Sequence, residues 1–118
     1  LEILQRGVSL DRAEKVAIML HGRGASAHSI LELEKYLNLE DFALLAPQAK
    51  GNTWYPFSFM APDASNEPAL SNSIRHLEDL VSGLYSQGLE SEQIYWIGFS
   101  QGACLSLEFA ARQAKRYG

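Results

Sequence analysis

Apolar segments of strand length alternate with segments of helical periodicity along this chain. Three of the apolar segments are short enough to be buried strands: Lys15 to Leu20, Phe42 to Ala46, and Ile94 to Gly98. Three successive passes of strand, loop and helix are typical of units whose strands lie parallel in one sheet. The pattern therefore predicts an α/β fold, with a mostly parallel sheet and helices on both of its faces.

The helical segments are marked by apolar residues at spacings of three and four. A helix is predicted from about Pro68 to Gln87, ended by Gly88 and Leu89, and another from Gln101 to about Arg116. The stripe of the first consists of Leu70, Ile74, Leu77, Val81 and Leu84. A further helix begins after Ser26 as its N-cap, and the residues predicted to share its apolar face are Ile30, Leu33, Tyr36 and Leu37.

Two segments lie outside this alternation of buried strands and helices. Residues 3–9 are predicted to form a short outer strand with a break at Gly7. Residues 47–67 are predicted to be a long loop, because three prolines within them exclude a long helix. Loops of this length in a compact domain are often functional.

Composition and charge exclude several classes of protein. A chain of 118 residues with 47% hydrophobic residues is predicted to fold as a single domain over residues 1–118. Ten basic residues against fourteen acidic ones argue against nucleic acid as a partner. The longest aliphatic stretch, Val16 to Leu20, is too short for a membrane span. The lone cysteine, Cys104, fits a reducing compartment, so we expect a cytoplasmic protein.

The sequence Gly98-Phe99-Ser100-Gln101-Gly102 matches the pattern Gly-x-Ser-x-Gly between a predicted strand and a predicted helix. A serine at such a turn projects its hydroxyl above the carboxyl ends of the strands, and the glycines let strand and helix pack closely. The helix directs its N-terminal amides to the same place, so the Gln101 N–H can donate to a developing oxyanion. Ser100 is therefore predicted to be a nucleophile; the alternative is a serine N-cap between two packing glycines.

The sequence His21-Gly22-Arg23-Gly24 follows the first buried strand. It is typical of the second half of an oxyanion hole, in which the Arg23 N–H would point at the substrate carbonyl.

The same glycines allow a second interpretation, since Gly22-x-Gly24-x-x-Ala27 also fits a dinucleotide-binding fingerprint. That interpretation, a nucleotide-binding oxidoreductase, requires an acidic residue at the end of the next strand. Pro47 and Gln48 stand there instead.

Five large apolar residues occur within seven positions of the long loop: Trp54, Tyr55, Phe57, Phe59 and Met60. They could form the wall of a pocket for an acyl or aryl group, or they could fill the core beneath the loop. Both interpretations remain open at this point.

Taken together, these motifs resemble the phospholipase/carboxylesterase family of serine α/β-hydrolases, which includes acyl-protein thioesterases and small bacterial carboxylesterases. The matching segments are Leu20-His21-Gly22-Arg23-Gly24, Ala46-Pro47-Gln48 with Trp54-Tyr55 after it, and Gly98-Phe99-Ser100-Gln101-Gly102-Ala103. The resemblance implies an α/β-hydrolase fold and a serine esterase or thioesterase acting on short to medium acyl or small aryl esters. It implies Ser100 as nucleophile and the Arg23 and Gln101 amides as oxyanion hole, with no metal or organic cofactor. It also implies substrate-site positions for Trp54, Tyr55 and His21.

One part of the family pattern has no match in these residues. The family places a catalytic Asp and then a His downstream of the nucleophile, whereas neither residue type occurs after Ser100 and the histidines His21, His28 and His76 all precede it. We therefore expect residues 1–118 to be the N-terminal part of the hydrolase. The triad partners and the C-terminal strands would then lie in a missing half or in a companion chain. A homodimer is a further option, and a non-catalytic binding fragment is the remaining alternative.

Overall fold

The computed structural model describes residues 2–57, 63–113 and 117–118. The strands in these ranges are β1 Ile3–Gly7, β2 Lys15–Leu20, β3 Phe42–Pro47 and β4 Ile94–Gly98. The α-helices are α1 Ala27–Leu31, α2 Asp63–Asn66, α3 Ala69–Ser86 and α4 Gln101–Gln113. Short 3₁₀ segments lie at Leu10–Arg12, Glu32–Tyr36, Lys50–Asn52 and Ser91–Gln93.

Within the described residues, the strands form one sheet in the order β1-β3-β2-β4. β2 is parallel to both of its neighbours, β3 and β4, whereas β1 runs antiparallel to β3. The residues from Val16 to Leu20 in β2 are completely buried, as expected for a parallel strand covered on both faces. The predicted mostly parallel sheet is confirmed, and the outer strand β1 ends at Gly7, where φ is +78°.

Helices cover both faces of the sheet, as predicted. Ile18 and Met19 point to opposite faces because side chains alternate along a strand, and each belongs to a separate apolar cluster. α3 and α4 supply the cluster around Ile18, and α1 supplies the cluster around Met19. The stripe predicted for α3 is buried at every position: Leu70, Ile74, Leu77, Val81 and Leu84.

The end of α3 also follows the sequence pattern. Gly88 adopts a left-handed conformation with φ of +95°. The Leu89 N–H then donates to the Leu84 carbonyl at 3.2 Å, and the Leu89 side chain folds back into the core. This arrangement satisfies a carbonyl that the helix would otherwise leave without a partner.

The helix predicted after Ser26 is shorter than its apolar pattern suggested. Ser26 caps α1 as expected, by accepting a hydrogen bond from the Ser29 N–H at 3.1 Å. The chain then continues as the 3₁₀ segment Glu32–Tyr36, which has three residues per turn rather than 3.6. The tighter winding rotates later positions away from the sheet, so Tyr36 is 80% exposed and Leu37 is 42% exposed. The prediction that both share the buried face with Ile30 was wrong.

The long loop after β3 contains two helical turns that the sequence did not predict. They are Lys50–Asn52 and α2, Asp63–Asn66. The buried Asn66 accepts a hydrogen bond from the Phe57 N–H at 2.7 Å through its side-chain oxygen. This contact joins α2 to the other arm of the loop, so the turn depends on tertiary structure rather than on local pattern.

β4 lies at the edge of the sheet in the described part of the chain. One side of β4 pairs with β2, from Ile94 opposite Val16 to Gly98 opposite Leu20. On the other side, the Gly118 N–H donates to the Ile94 carbonyl at 3.0 Å. Apart from this one bond at Ile94, the outer edge of β4 has no strand partner among the described residues, as expected.

Candidate active site

Ser100 occupies a sharp turn between β4 and α4. Its φ is +56°, which is uncommon for a residue other than glycine. The Phe99 N–H donates to the Leu20 carbonyl at 3.2 Å, and the Phe99 carbonyl accepts from the Gly102 N–H at 3.0 Å. These bonds attach the turn to the end of β2 and hold Ser100 in its strained conformation. The side of the turn that carries Ser100 is exposed, which leaves the hydroxyl open to an incoming group.

The two glycines of the motif are required by close backbone contacts. A methyl group on Gly98 would lie 2.5 Å from the Ala103 amide nitrogen, and one on Gly102 would collide with the Leu20 carbonyl oxygen. Real Cβ atoms essentially never come this close to another heavy atom. The glycines therefore allow α4 to begin directly against β2 and β4, as the sequence predicted.

The loop that follows β2 lies beside this turn. A methyl group on Gly22 would be 3.4 Å from the Ser100 Cβ. Within the described residues, the backbone N–H groups of Arg23 and Gln101 have no hydrogen-bond acceptor. The loop that carries Arg23 thus lies beside the turn that carries Ser100 and beside the start of α4 at Gln101.

His21 is completely buried beneath this loop and is stacked on Trp54, with ring centroids 5.0 Å apart. Its Nε2 accepts a hydrogen bond from the Ala49 N–H at 3.0 Å, so Nδ1 carries the proton and donates to the Gly22 carbonyl at 2.8 Å. Burial lowers the pKa of His21, with the Gly22 hydrogen bond opposing it. His21 is therefore a neutral imidazole with both nitrogens engaged, and any effect on substrate would pass through its neighbours.

The side chain of Gln101 makes contacts that the sequence analysis missed. Its Oε1 accepts from the Trp54 N–H at 2.8 Å and from the Thr53 hydroxyl at 3.2 Å, while its Nε2 donates to the Tyr55 carbonyl at 2.9 Å. The side chain is buried and satisfied by groups 46 to 48 positions away. Nothing in the local sequence pattern indicates these partners; the motif assigned a role only to the Gln101 backbone.

Trp54 and Tyr55 are 2% and 3% exposed and belong to the main apolar core. They also line a cavity of about 480 Å³, together with Lys50 and His76. The other members of the predicted aromatic cluster differ, since Phe57 is 55% exposed and Phe59 and Met60 lie outside the described residues. The core-filling interpretation is confirmed for Trp54 and Tyr55. Ser100 is not among the residues that line the cavity, so a role of these two side chains as walls of an acyl or aryl pocket stays a prediction.

The remaining histidines and the lone cysteine make no contact with the Ser100 side chain among the hydrogen bonds of the described residues. His28 and His76 are exposed on α1 and α3. Cys104 is partly buried one turn after Ser100, and its N–H donates to the Ser100 carbonyl at 3.1 Å. No hydrogen bond joins Ser100 to a histidine within the described ranges.

Neither a metal site nor a membrane helix is found in the described parts of the chain. No group of three or more His, Cys, Asp or Glu side chains is arranged there to hold a metal ion. None of the helices there combines the length and the apolar character needed to cross a bilayer.

The dinucleotide interpretation of the glycine loop finds no support in the geometry. The Gly24 N–H donates to the Asn52 carbonyl at 2.7 Å, and the Ala27 N–H donates to the side chain of Gln48 at 2.8 Å. A pyrophosphate would need such amides free at the start of a helix. These two are occupied, and α1 itself has only five residues.

A family described as Phospholipase/Carboxylesterase matches residues 8–118. A crystal structure of a phospholipase/carboxylesterase from Dyadobacter fermentans is 48% identical, with a TM-score of 0.95 over 98% of this chain and 56% of that one. Acyl-protein thioesterase 2 from Zea mays, at 24% identity and a TM-score of 0.69, shares the fold over 99% of this chain and 54% of that one.

A curated hydrolase is also similar to this chain in sequence. An uncharacterized hydrolase from Schizosaccharomyces pombe is 24% identical over 123 residues, which cover 91% of this chain and 50% of that protein. The chain therefore spans about half the length of the relatives that it matches.

Proposed function

The chain belongs to the phospholipase/carboxylesterase family, and we propose that Ser100 is the nucleophile of a serine hydrolase that cleaves carboxylic esters or thioesters. The observation that carries the proposal is the Ser100 turn itself. An exposed serine with φ of +56° stands at the start of α4, beside the loop that carries the Arg23 N–H and directly before the Gln101 N–H, and the described residues supply no acceptor for either group.

The reaction proceeds in two steps. The Ser100 Oγ attacks the acyl carbonyl carbon and gives its proton to a general base, and the Arg23 and Gln101 N–H groups stabilise the negative charge on the carbonyl oxygen. The bond from the acyl carbon to the leaving oxygen or sulfur then breaks, and the base returns the proton to that atom. Water attacks the acyl-enzyme in the second step, gives a proton to the base and releases the acid, and Ser100 regains its proton.

The general base is proposed to be a histidine outside residues 1–118, oriented by an aspartate. Among the histidines of this chain, His21 has both ring nitrogens engaged, and His28 and His76 lie on other helices. We propose that residues 1–118 form the N-terminal part of a single α/β-hydrolase domain that such partners complete, from a following segment or a companion chain. The open edge of β4 supports this view, since an uncovered parallel strand is prone to aggregate.

The substrates are proposed to be small acyl or aryl esters. Trp54 and Tyr55 support this choice, because these two large aromatic residues are bonded through their backbone to the Gln101 side chain, next to Ser100. The cavity of about 480 Å³ that they line does not include Ser100 among its lining residues, so it is not part of this support. Their contact with substrate, like that of His21, stays a prediction, as do the cytoplasmic location and a homodimer.

Labelling with a fluorophosphonate tests the proposal, because this ester mimic reacts only with activated serines. The full-length protein that contains this chain would be treated and its intact mass measured under denaturing conditions, which also detects any companion polypeptide. We expect one phosphonyl group on the parent and on the control Ser82→Ala, whose hydroxyl lies on the exposed side of α3. We expect none on Ser100→Ala.

Two results would contradict the proposal. Labelling of Ser100→Ala to the level of the parent would place the nucleophile elsewhere. No labelling of the folded full-length parent would favour the non-catalytic binding protein instead.

A further inference from the structure

The side chains of Arg23 and Gln101 reach the same short segment of the long loop. This segment consists of residues 53–56 and is called the strut below. Arg23 donates to the Pro56 carbonyl from one side, and Gln101 bonds the Trp54 N–H and the Tyr55 carbonyl from the other. The two residues whose backbone amides are the proposed oxyanion donors are therefore connected through one piece of chain.

The strut is itself firmly held in the core. The Trp54 carbonyl accepts from the buried Ser73 hydroxyl at 2.7 Å, and the Trp54 Nε1–H donates to the His21 carbonyl at 2.9 Å. The single proton of the Thr53 hydroxyl is shared between the Tyr55 carbonyl at 2.9 Å, within the strut, and Gln101 Oε1 at 3.2 Å. These contacts fix the position of the strut relative to the core.

We infer that the strut fixes the two oxyanion donors relative to each other, and that the Gln101 side chain is the positioning residue that connects it to the Ser100 turn. The inference rests on the proposed function, because it concerns the geometry of that oxyanion hole. An oxyanion hole depends on donors set at hydrogen-bond distance from the developing charge. Displacements of about 1 Å in such groups are known to cost rates on the order of a hundredfold.

The chemistry of the site favours an amide at position 101. Its oxygen accepts from an N–H group and from a hydroxyl, and its nitrogen donates to a carbonyl. A carboxylate would keep the first two contacts but repel the Tyr55 carbonyl, and a methionine would lose all three. Neither substitution removes the backbone N–H that serves as oxyanion donor, so the two roles of the residue can be separated.

The test compares Gln101→Met and Gln101→Glu with the parent in the full-length protein. Ester hydrolysis would be measured as kcat and KM, with kcat divided by the fraction of molecules that fluorophosphonate titrates. We expect Gln101→Met to lower this normalised kcat by about ten- to hundredfold, with KM changed less than threefold. A side chain that only stabilised the fold would lower the titrated fraction and leave normalised kcat unchanged.

Gln101→Glu changes the volume of the side chain very little, and it makes the contact with the Tyr55 carbonyl depend on pH. Burial and the facing Tyr55 carbonyl would raise the pKa of the introduced acid. The protonated acid can donate to that carbonyl as the amide does. We expect the ratio of the variant's normalised kcat to that of the parent to rise as pH falls from 8 to 5.5. A ratio independent of pH and close to one would overturn the inference.

Arg23→Met tests the other contact with the strut. The Arg23 side chain is exposed, and its loss leaves the backbone N–H in place. Independent effects would multiply in the double variant with Gln101→Met. If both residues act through the strut, the double variant should lose little more than Gln101→Met alone. Fully multiplicative losses would contradict a shared strut, and each kcat is again divided by the titrated fraction so that poorly folded molecules do not enter the comparison.

Failure of the inference is distinguishable from failure of the proposed function. If the parent is labelled at Ser100 and both Gln101 variants keep its normalised kcat, the strut has no positioning role although the hydrolase proposal stands. If the folded parent is not labelled at all, the hydrolase proposal falls and the inference falls with it.

Discussion

The Trp54 indole stacks on the His21 imidazole and also donates its Nε1–H to the His21 carbonyl, at 2.9 Å. The Trp54 side chain therefore covers the ring of His21 and also supplies a hydrogen-bond donor for the His21 backbone carbonyl. Through the neighbouring Gly22, this pair supports the loop that lies beside Ser100.

Replacing Trp54 with phenylalanine should separate these two roles. Trp54→Phe keeps an aromatic ring over His21 but leaves the buried His21 carbonyl without its donor, which should cost about 1–3 kcal/mol of unfolding free energy. Urea unfolding of the full-length protein measures the change. Phe57→Ala, at a position 55% exposed, serves as the control and should change stability by less than about 0.5 kcal/mol.

Stability should fall as the pH decreases below the ordinary pKa of histidine. Burial lowers the pKa of His21 in the folded state, so the unfolded chain binds a proton below about pH 6.5 while the folded chain does not. His21 therefore contributes stability above that pH, and the contribution is lost as the pH falls.

The contribution of His21 to this slope can be isolated by substitution. Unfolding free energies of the parent would be compared with those of His21→Gln between pH 5 and 8, with His76→Gln as an exposed control. The parent should lose at most about 1.4 kcal/mol per pH unit from this one group. His21→Gln should show a shallower slope, whereas an unchanged slope would assign the pH dependence to other groups.

Two glycines in helices should respond in opposite ways to alanine. Gly102→Ala places a methyl group on the Leu20 carbonyl oxygen and should lower the melting temperature strongly or prevent folding. Gly83→Ala, in α3, meets nothing within 4 Å and should stabilise the protein by about 0.5–1 kcal/mol through helix propensity. Thermal unfolding of both variants gives the comparison, and equal effects would contradict the packing described here.

The strained backbone conformation of Ser100 should lower the free energy of unfolding. Ser100→Gly and Ser100→Ala both remove the hydroxyl, but only glycine adopts a φ of +56° without cost. Ser100→Gly should therefore be more stable than Ser100→Ala by about 1 kcal/mol. Neither variant should react with a fluorophosphonate. The difference in stability between the two variants therefore reports the backbone strain alone, because both lack the hydroxyl.

The sequence by itself determined the framework of this protein. The three parallel strands, the stripe of α3 and the glycine that ends it were predicted from local periodicity and turn chemistry, and all are confirmed. The position of Ser100 between strand and helix was predicted in the same way and is confirmed as a structural placement. Its role as nucleophile stays a prediction.

Only the tertiary structure decided how the loops meet around Ser100. The partners of Gln101 lie 46 to 48 positions before it, and the donor to His21 Nε2 lies 28 positions after it. Such pairs leave no periodic signal, since they depend on the path that a loop takes across the ends of the strands. The same reason explains the wrong prediction at Tyr36, where a change from α to 3₁₀ winding turned the residue to solvent. Periodicity constrains which face of an element is buried, whereas hydrogen bonds between loops are set when the elements pack.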